Sequence, residues 1–165
     1  MERKRILVVD DDRFIRRAVR HLVECMGHEC IEAGAGDEGF RVAMSEEPDL
    51  IVLDVMLPSV NGYEVSRMIK EEVQKNGSAR DLPILIVTAR RTDSEEREEF
   101  LQTWSRADEF IYKPFDLDNL SERISAHLDA ATQCGEQSFE EHEEHNEESE
   151  PAAEVIHAEE VHSRD

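Results

Sequence analysis

Four short stretches of this chain set a reactive side chain at the end of an apolar run. Asp10, Asp11 and Asp12 follow Ile6-Leu7-Val8-Val9, Asp54 follows Leu50-Ile51-Val52-Leu53, Thr88 follows Pro83-Ile84-Leu85-Ile86-Val87, and Lys113 follows Glu109-Phe110-Ile111-Tyr112. Taken singly, each has an ordinary use: Asp54 as a helix cap, Thr88 as a strand-end residue, Lys113 as a solvated base. Gathered in one crevice, the carboxylates of Asp10, Asp11 and Asp54 would repel one another by about 4 kcal/mol per pair at roughly 4 Å and an effective dielectric of about 20. A hard divalent cation relieves that repulsion. Mg²⁺ prefers octahedral oxygen ligands and keeps several waters, so one or two carboxylates and a carbonyl suffice to hold it.

Whether the acids gather depends on the elements that carry them. Ile6–Val9, Glu29–Ala33, Leu50–Leu53, Pro83–Val87 and Glu109–Tyr112 read as strands, short apolar or β-branched runs bounded by turn residues. Phe14, Ile15, Ala18, Val19, Leu22, Val23 and Met26 recur at helical spacing, and Gly27 supplies a left-handed end. Further helices are expected over 37–45, where Gly39 costs roughly 1 kcal/mol against Ala, and along the stripe Tyr63, Val65, Met68, Ile69, Val73. A charged segment from Thr92 to Trp104, with Phe100, Leu101 and Trp104 as its apolar side, and 116–131, striped by Leu117, Leu120, Ile124 and Leu128, complete the set.

Strand and helix alternate five times, which calls for an α/β fold with a parallel sheet covered on both faces. Right-handed crossovers leave few topologies, and the doubly wound five-stranded order 2-1-3-4-5 is the one expected. In that order the first and third strands are neighbours. The acids after strand one then meet Asp54 at the switch point, with Thr88 and Lys113 arriving from strands four and five.

Composition narrows the function classes. The 165 residues carry a net charge of −21, which argues against a nucleic-acid partner, because such contacts need Lys and Arg to neutralise phosphates. Cys25, Cys30 and Cys134 form no CxxC pair and suggest no disulfide framework. Only four apolar residues follow the basic start before the acids, too few for a signal peptide, and no run approaches a membrane span. A cytoplasmic protein is expected. The charge is uneven: residues 132–165 hold eleven Glu, one Asp and one Arg, a net of −11. The expected division is a folded unit over 1–131 and an acidic tail over 132–165, where too little apolar surface is available to offset chain entropy and disorder is the default. The Glu-His pattern at 140–145 offers ligands for a transition metal.

Val8-Val9-Asp10-Asp11-Asp12, Leu53-Asp54-Val55-Met56-Leu57-Pro58 with Asn61-Gly62, Val87-Thr88-Ala89 and Tyr112-Lys113-Pro114-Phe115 together resemble the receiver domain of two-component response regulators, of the stand-alone chemotaxis type. The resemblance implies a flavodoxin-like fold. It also implies that Asp11 and Asp54 ligate Mg²⁺ directly, that the Met56 carbonyl adds an oxygen, and that Asp10 acts largely through water. Asp54 would be the nucleophile, accepting a phosphoryl group from a phosphohistidine on a histidine kinase or histidine phosphotransfer protein. Lys113 would supply a second positive charge, with a cis bond to Pro114. Thr88 would give its hydroxyl to a phosphoryl oxygen, and the space it leaves would admit Phe110, three residues before Lys113, altering the surface seen by a downstream protein. Phe110 has no hydroxyl, so a hydrogen-bonded version of that switch is unavailable, and Tyr112 is expected to point elsewhere by alternation. Met56 and Arg90 would flank the route of attacking water.

Two departures bear on the output face: the segment between Thr88 and Lys113 is longer than usual, and Arg106 stands where receivers often have Gly. The resulting reading is a single-domain response regulator. It is a phosphoacceptor and not an enzyme acting on other molecules, its partners are a phosphohistidine donor and a protein target, a phosphorylation-dependent homodimer is allowed, and no membrane is involved. A phosphorylation-independent interaction module and a phosphatase-like hydrolase are the rivals.

Overall fold

The computed structural model describes residues 2–77, 81–89 and 94–140, with 132–140 as backbone. Ten elements alternate along it: β1 (Arg5–Val9), α1 (Arg13–Cys25), β2 (Glu29–Ala33), α2 (Gly36–Glu46), β3 (Leu50–Asp54), α3 (Gly62–Lys75), β4 (Ile84–Thr88), α4 (Glu95–Ser105), β5 (Glu109–Tyr112) and α5 (Leu117–Glu140). The strands form one sheet in the order β2-β1-β3-β4-β5, and every pairing is parallel. This is the doubly wound order expected from the alternation.

The continuous apolar strands follow from burial on both faces. Ile6, Val8, Leu50, Val52, Leu85, Val87 and Ile111 pack against Val19 and Val23 of α1 and Leu120, Ile124 and Leu128 of α5. The alternate residues, Leu7, Val9, Ile51, Leu53, Ile84 and Ile86, pack against Ala43 of α2 and Val65 and Ile69 of α3. Each fully buried Ile or Leu in these layers contributes roughly 1.5–3 kcal/mol relative to exposure. Gly39 gives α2 its place: a Cβ there would lie 2.9 Å from both methyl carbons of Val9. The residue that weakens the helix lets it lie against β1.

Caps set the helix ends. Asp12 accepts from the Phe14 N–H at 2.8 Å to start α1, and Asn61 accepts from the Glu64 N–H at 3.1 Å to start α3. At the end of α1, Gly27 takes φ 85°, while its N–H and that of His28 return to the carbonyls of Glu24 and Val23.

Three expectations need correction. Phe14, which the helical spacing puts on the apolar stripe of the first helix, is 68% exposed. It sits in the first turn of α1, past the carboxyl edge of the sheet, where no strand lies beneath it. Phe100, expected on the apolar side of the fourth helix, is 62% exposed; α4 starts at Glu95, Ser105 is its one buried residue, and its Trp104 is covered by the Arg67 guanidinium at 4.8 Å. The last helix was expected to close at Ala131, yet α5 continues to Glu140, because no proline interrupts the chain before Pro151. The rest of the acidic stretch, 141–165, lies outside the described residues.

Candidate functional site

Register brings the acids together. Val9 pairs with Leu53, so Asp10, the next residue of the first chain, stands beside Asp54, the last residue of β3. Ligand oxygens of Asp10, Asp11 and Asp54 lie within 4.8 Å of one another. Asp10 and Asp54 are buried, at 4% and 5% exposure, and Asp11 is exposed. Asp10 is held by the backbone: its Oδ1 accepts from the Asp12 N–H at 2.8 Å. Asp12, the third acid of the cluster, is spent as the cap of α1.

Lys113 follows the last residue of β5, and its N–H donates to the Thr88 carbonyl at 2.8 Å. From there its Nζ reaches Asp10 Oδ2 at 3.0 Å and Asp54 Oδ1 at 3.3 Å. The Lys113–Pro114 bond is cis. Burial works against the Lys113 charge, but the hydrogen bond to Asp10 and the charges of Asp10 and Asp54 hold its ammonium above the ordinary lysine value. Burial pushes the Asp54 carboxyl above its ordinary value, and Asp10 pushes the same way. The Lys113 ammonium and the Val55 N–H pull against both without overcoming them. Asp54 is thus a carboxylate whose charge the site resists, next to a lysine whose charge the site favours.

Thr88, fully buried at the end of β4, is one residue further along the sheet than Val87, the partner of Asp54. Met56 is 58% exposed just beyond Asp54. Arg90 lies outside the described residues. Phe110 lies further in, beside Ile86 in register, packed on the α2–α3 side of the sheet and stacked on Tyr63 with ring centroids 6.2 Å apart. The expectation that alternation separates Tyr112 does not hold. Residues two apart on a strand share a face, so Tyr112 projects to the side of Phe110, and it is Tyr112 that pairs with Thr88. Arg106 adopts φ 57° as the left-handed end of α4, and its guanidinium donates to Gln74 Oε1 at 3.2 Å.

Two residues that matter were not singled out from the sequence. Arg16 Nη1 donates to the Asp10 carbonyl at 2.7 Å and the Asp11 carbonyl at 3.3 Å, fixing the acidic loop from the flank of α1. A base within the first turn or so of the helix after the acids was the available signal. Gly62 carries a steric demand beyond its turn: a Cβ there would lie 2.1 Å from the Asp54 carbonyl oxygen. Only a residue without a side chain lets α3 start this close to the end of β3.

The family model described as the response regulator receiver domain matches residues 6–125. The chain belongs to the response regulator receiver domain family. The receiver is 41% identical over 124 residues to the response regulator MprA of Mycobacterium tuberculosis, covering 75% of this chain and 50% of that protein. It therefore spans about half the length of such curated relatives. Among solved structures, a CheY-like receiver domain protein from Methanospirillum hungatei superposes with TM-score 0.70 at 26% identity, covering 80% of this chain and 98% of that one. The response regulator protein TrrA of Thermotoga maritima, solved in complex with Mg²⁺-BeF, has TM-score 0.61 and 33% identity over 75% of this chain and 98% of its own. Receivers bind Mg²⁺ at an acidic pocket, and the Asp10, Asp11, Asp54 cluster of this receiver fits such an ion: it offers hard carboxylate oxygens in one crevice. Among the described residues no helix is long and apolar enough to cross a membrane.

Proposed function

We propose that this receiver accepts a phosphoryl group on Asp54 from a phosphohistidine of a histidine kinase or histidine phosphotransfer protein, and signals by a changed affinity for a downstream protein. The observation that carries this reading is the Lys113 ammonium set between Asp10 and Asp54, in a crevice that resists the charge of Asp54. An Asp54 oxygen attacks phosphorus, the Asp–P bond forms as the P–N bond to the donor imidazole breaks, and the bonding pair leaves with the imidazole. Phosphoryl transfer needs little covalent help beyond alignment and charge neutralisation. Lys113 stays protonated and offers its positive charge to the incoming oxygens. Thr88 gives its hydroxyl to one of them. Asp11, Asp54 and the Met56 carbonyl would hold Mg²⁺, with Asp10 acting largely through water; the bound ion supplies charge neutralisation for both the carboxylates and the phosphoryl group.

The chain acts on itself in this reading, taking up and losing its own phosphate, and the readout is a protein contact. The net charge of −21 over the chain, −10 of it in residues 1–131, disfavours a nucleic-acid partner, and the readings of a cytoplasmic site of action and a phosphorylation-dependent homodimer follow the family. The rival is a phosphorylation-independent interaction module, favoured by Phe110, which lacks a hydroxyl, and by the left-handed Arg106 on the output side. Incubation with Mg²⁺ and a small acyl phosphate, read by intact mass, separates them. One added phosphoryl group on the wild type and none on Asp54→Asn supports the reading. No addition to the wild type, or equal addition to the variant, refutes it. Turnover of an external phosphoester that survives Asp54→Asn would instead assign a hydrolase.

A further inference from the structure

The first two turns of α1 carry Arg13, Arg16, Arg17 and Arg20, spaced to share one flank of the helix. With Glu32 of β2 they line a pocket of about 540 Å³. Its charge is answered only in part. Glu32 meets Arg16 at 3.5 Å and Arg20 at 2.8 Å, and Glu24 meets Arg20 at 2.8 Å. Arg13 lies over the exposed Phe14 ring at 5.2 Å, and among the described residues no ion pair is seen at Arg13 or Arg17. The lining is four arginines and one acid, Glu32, with Glu24 and Glu38 at its margin, a positive pocket on a chain of net charge −21.

The occupant with the matching chemistry is in the same chain. Residues 141–165 hold ten acids and one Arg, and Glu141, Glu143, Glu144, Glu147, Glu148 and Glu150 crowd their first part. Helices α1 and α5 share one face of the sheet. Both descend from its carboxyl edge, so the stretch after Glu140 starts at the opposite edge from the pocket. Helix α5 is about 36 Å long at 1.5 Å per residue, and residues 141–165 span up to roughly 80 Å when extended, enough to return along α1. We propose that residues 141–149 retrace α1 and that the acidic segment 150–160, with Glu150, Glu154, Glu159 and Glu160, docks in cis on the α1 arginine pocket, its carboxylates taking the guanidinium forks that Glu32 and Glu24 leave open. Tethering places the segment at an effective concentration of order millimolar, so a weak contact is well populated. Arg16 joins the pocket to the acidic crevice, because the same guanidinium holds the Asp10 and Asp11 carbonyls. The contact does not rest on the phosphoacceptor reading.

Amide spectra of the ¹⁵N-labelled full chain test it, comparing wild type with a variant carrying Glu143→Gln, Glu144→Gln, Glu147→Gln, Glu148→Gln and Glu150→Gln. A second tail variant, Glu150→Gln, Glu154→Gln, Glu159→Gln and Glu160→Gln, removes the acids far enough from Glu140 to reach the pocket, must show the same α1 shifts, and like the first leaves the folded unit untouched. At low ionic strength the amides of Arg13 to Arg20 and of Glu32 shift between the two proteins. The difference is independent of protein concentration and is lost in about 1 M NaCl, where the Debye length is about 3 Å. Arg13→Ala with Arg17→Ala moves the 150–160 amides to their high-salt positions. Superimposable α1 amides in wild type and tail variant overturn the proposal. So does a difference that grows with protein concentration, which would assign the pocket to the tail of a second copy.

Discussion

Asp54→Asn should stabilise the metal-free protein. At the 4.8 Å bound on their oxygens, Asp10 and Asp54 repel by about 3.5 kcal/mol at an effective dielectric of about 20. The Lys113 contact at 3.3 Å returns about 5 kcal/mol on the same scale. Burying the Asp54 carboxylate costs several kcal/mol more. Removing the charge while keeping the shape forgoes the lysine contact but relieves both penalties, a net gain of about 1–2 kcal/mol. The sign agrees with the raised pKa of Asp54. A carboxyl whose folded value lies above its unfolded value contributes stability that is complete below the unfolded value and is lost as pH rises through the folded one. The advantage of Asp54→Asn should therefore open in the acidic range and stay constant to neutrality. In EDTA at neutral pH the variant should melt roughly 3–5 °C above the wild type by circular dichroism. Saturating Mg²⁺ should reverse the order, since a ligand at about 100 times its dissociation constant adds about 2.7 kcal/mol to the protein that binds it. A variant that melts below the wild type in EDTA, or that gains as much from Mg²⁺, would refute the claim that the crevice is an acid trap relieved by a cation.

Other substitutions follow from the same geometry. Gly62→Ala drives a methyl into the Asp54 carbonyl, 2.1 Å away, and should cost roughly 3 kcal/mol in urea denaturation; an unchanged midpoint would show that α3 can withdraw freely. Lys113→Ala leaves Asp10 and Asp54 without their shared counter-charge and should lose roughly 3 kcal/mol in EDTA at neutral pH. The raised Lys113 pKa gives the wild type a contribution present below the ordinary lysine value and lost as pH rises through the folded value. An alkaline fall in stability should accordingly be shallower in Lys113→Ala, and equal limbs in the two proteins would count against it. Arg106→Gly relieves a left-handed backbone at φ 57° and gives up an exposed contact to Gln74, so its unfolding free energy from urea denaturation should rise by about 0.5–1 kcal/mol.

The sheet and the acid cluster were legible because both depend on where apolar runs stop. Five runs of matching length define the strands, one order of those strands sets β1 beside β3, and the residues just past the runs must then meet at one edge. What stayed hidden depends on distances between backbones, which no periodicity encodes. Gly39 reads as a flaw in a helix until Val9 is found 2.9 Å from where its Cβ would be. Gly62 reads as a turn until the Asp54 carbonyl is found in the way. Phe14 and Phe100 fit a helical stripe, but a stripe is buried only where a strand or helix lies opposite, and neither the first turn of α1 nor the outer side of α4 has one. Arg16 was invisible for a related reason: it binds two carbonyls, and carbonyls carry no sequence signature. Gly62 and Arg16 share a task, holding the backbone around the crevice while the charged groups within it change partners. Substitutions at Gly62 or Arg16 should thus alter the site through its geometry, whereas Asp54 and Lys113 act through charge. The two classes separate experimentally, because high salt and Mg²⁺ modulate the second and leave the steric cost at Gly62 in place.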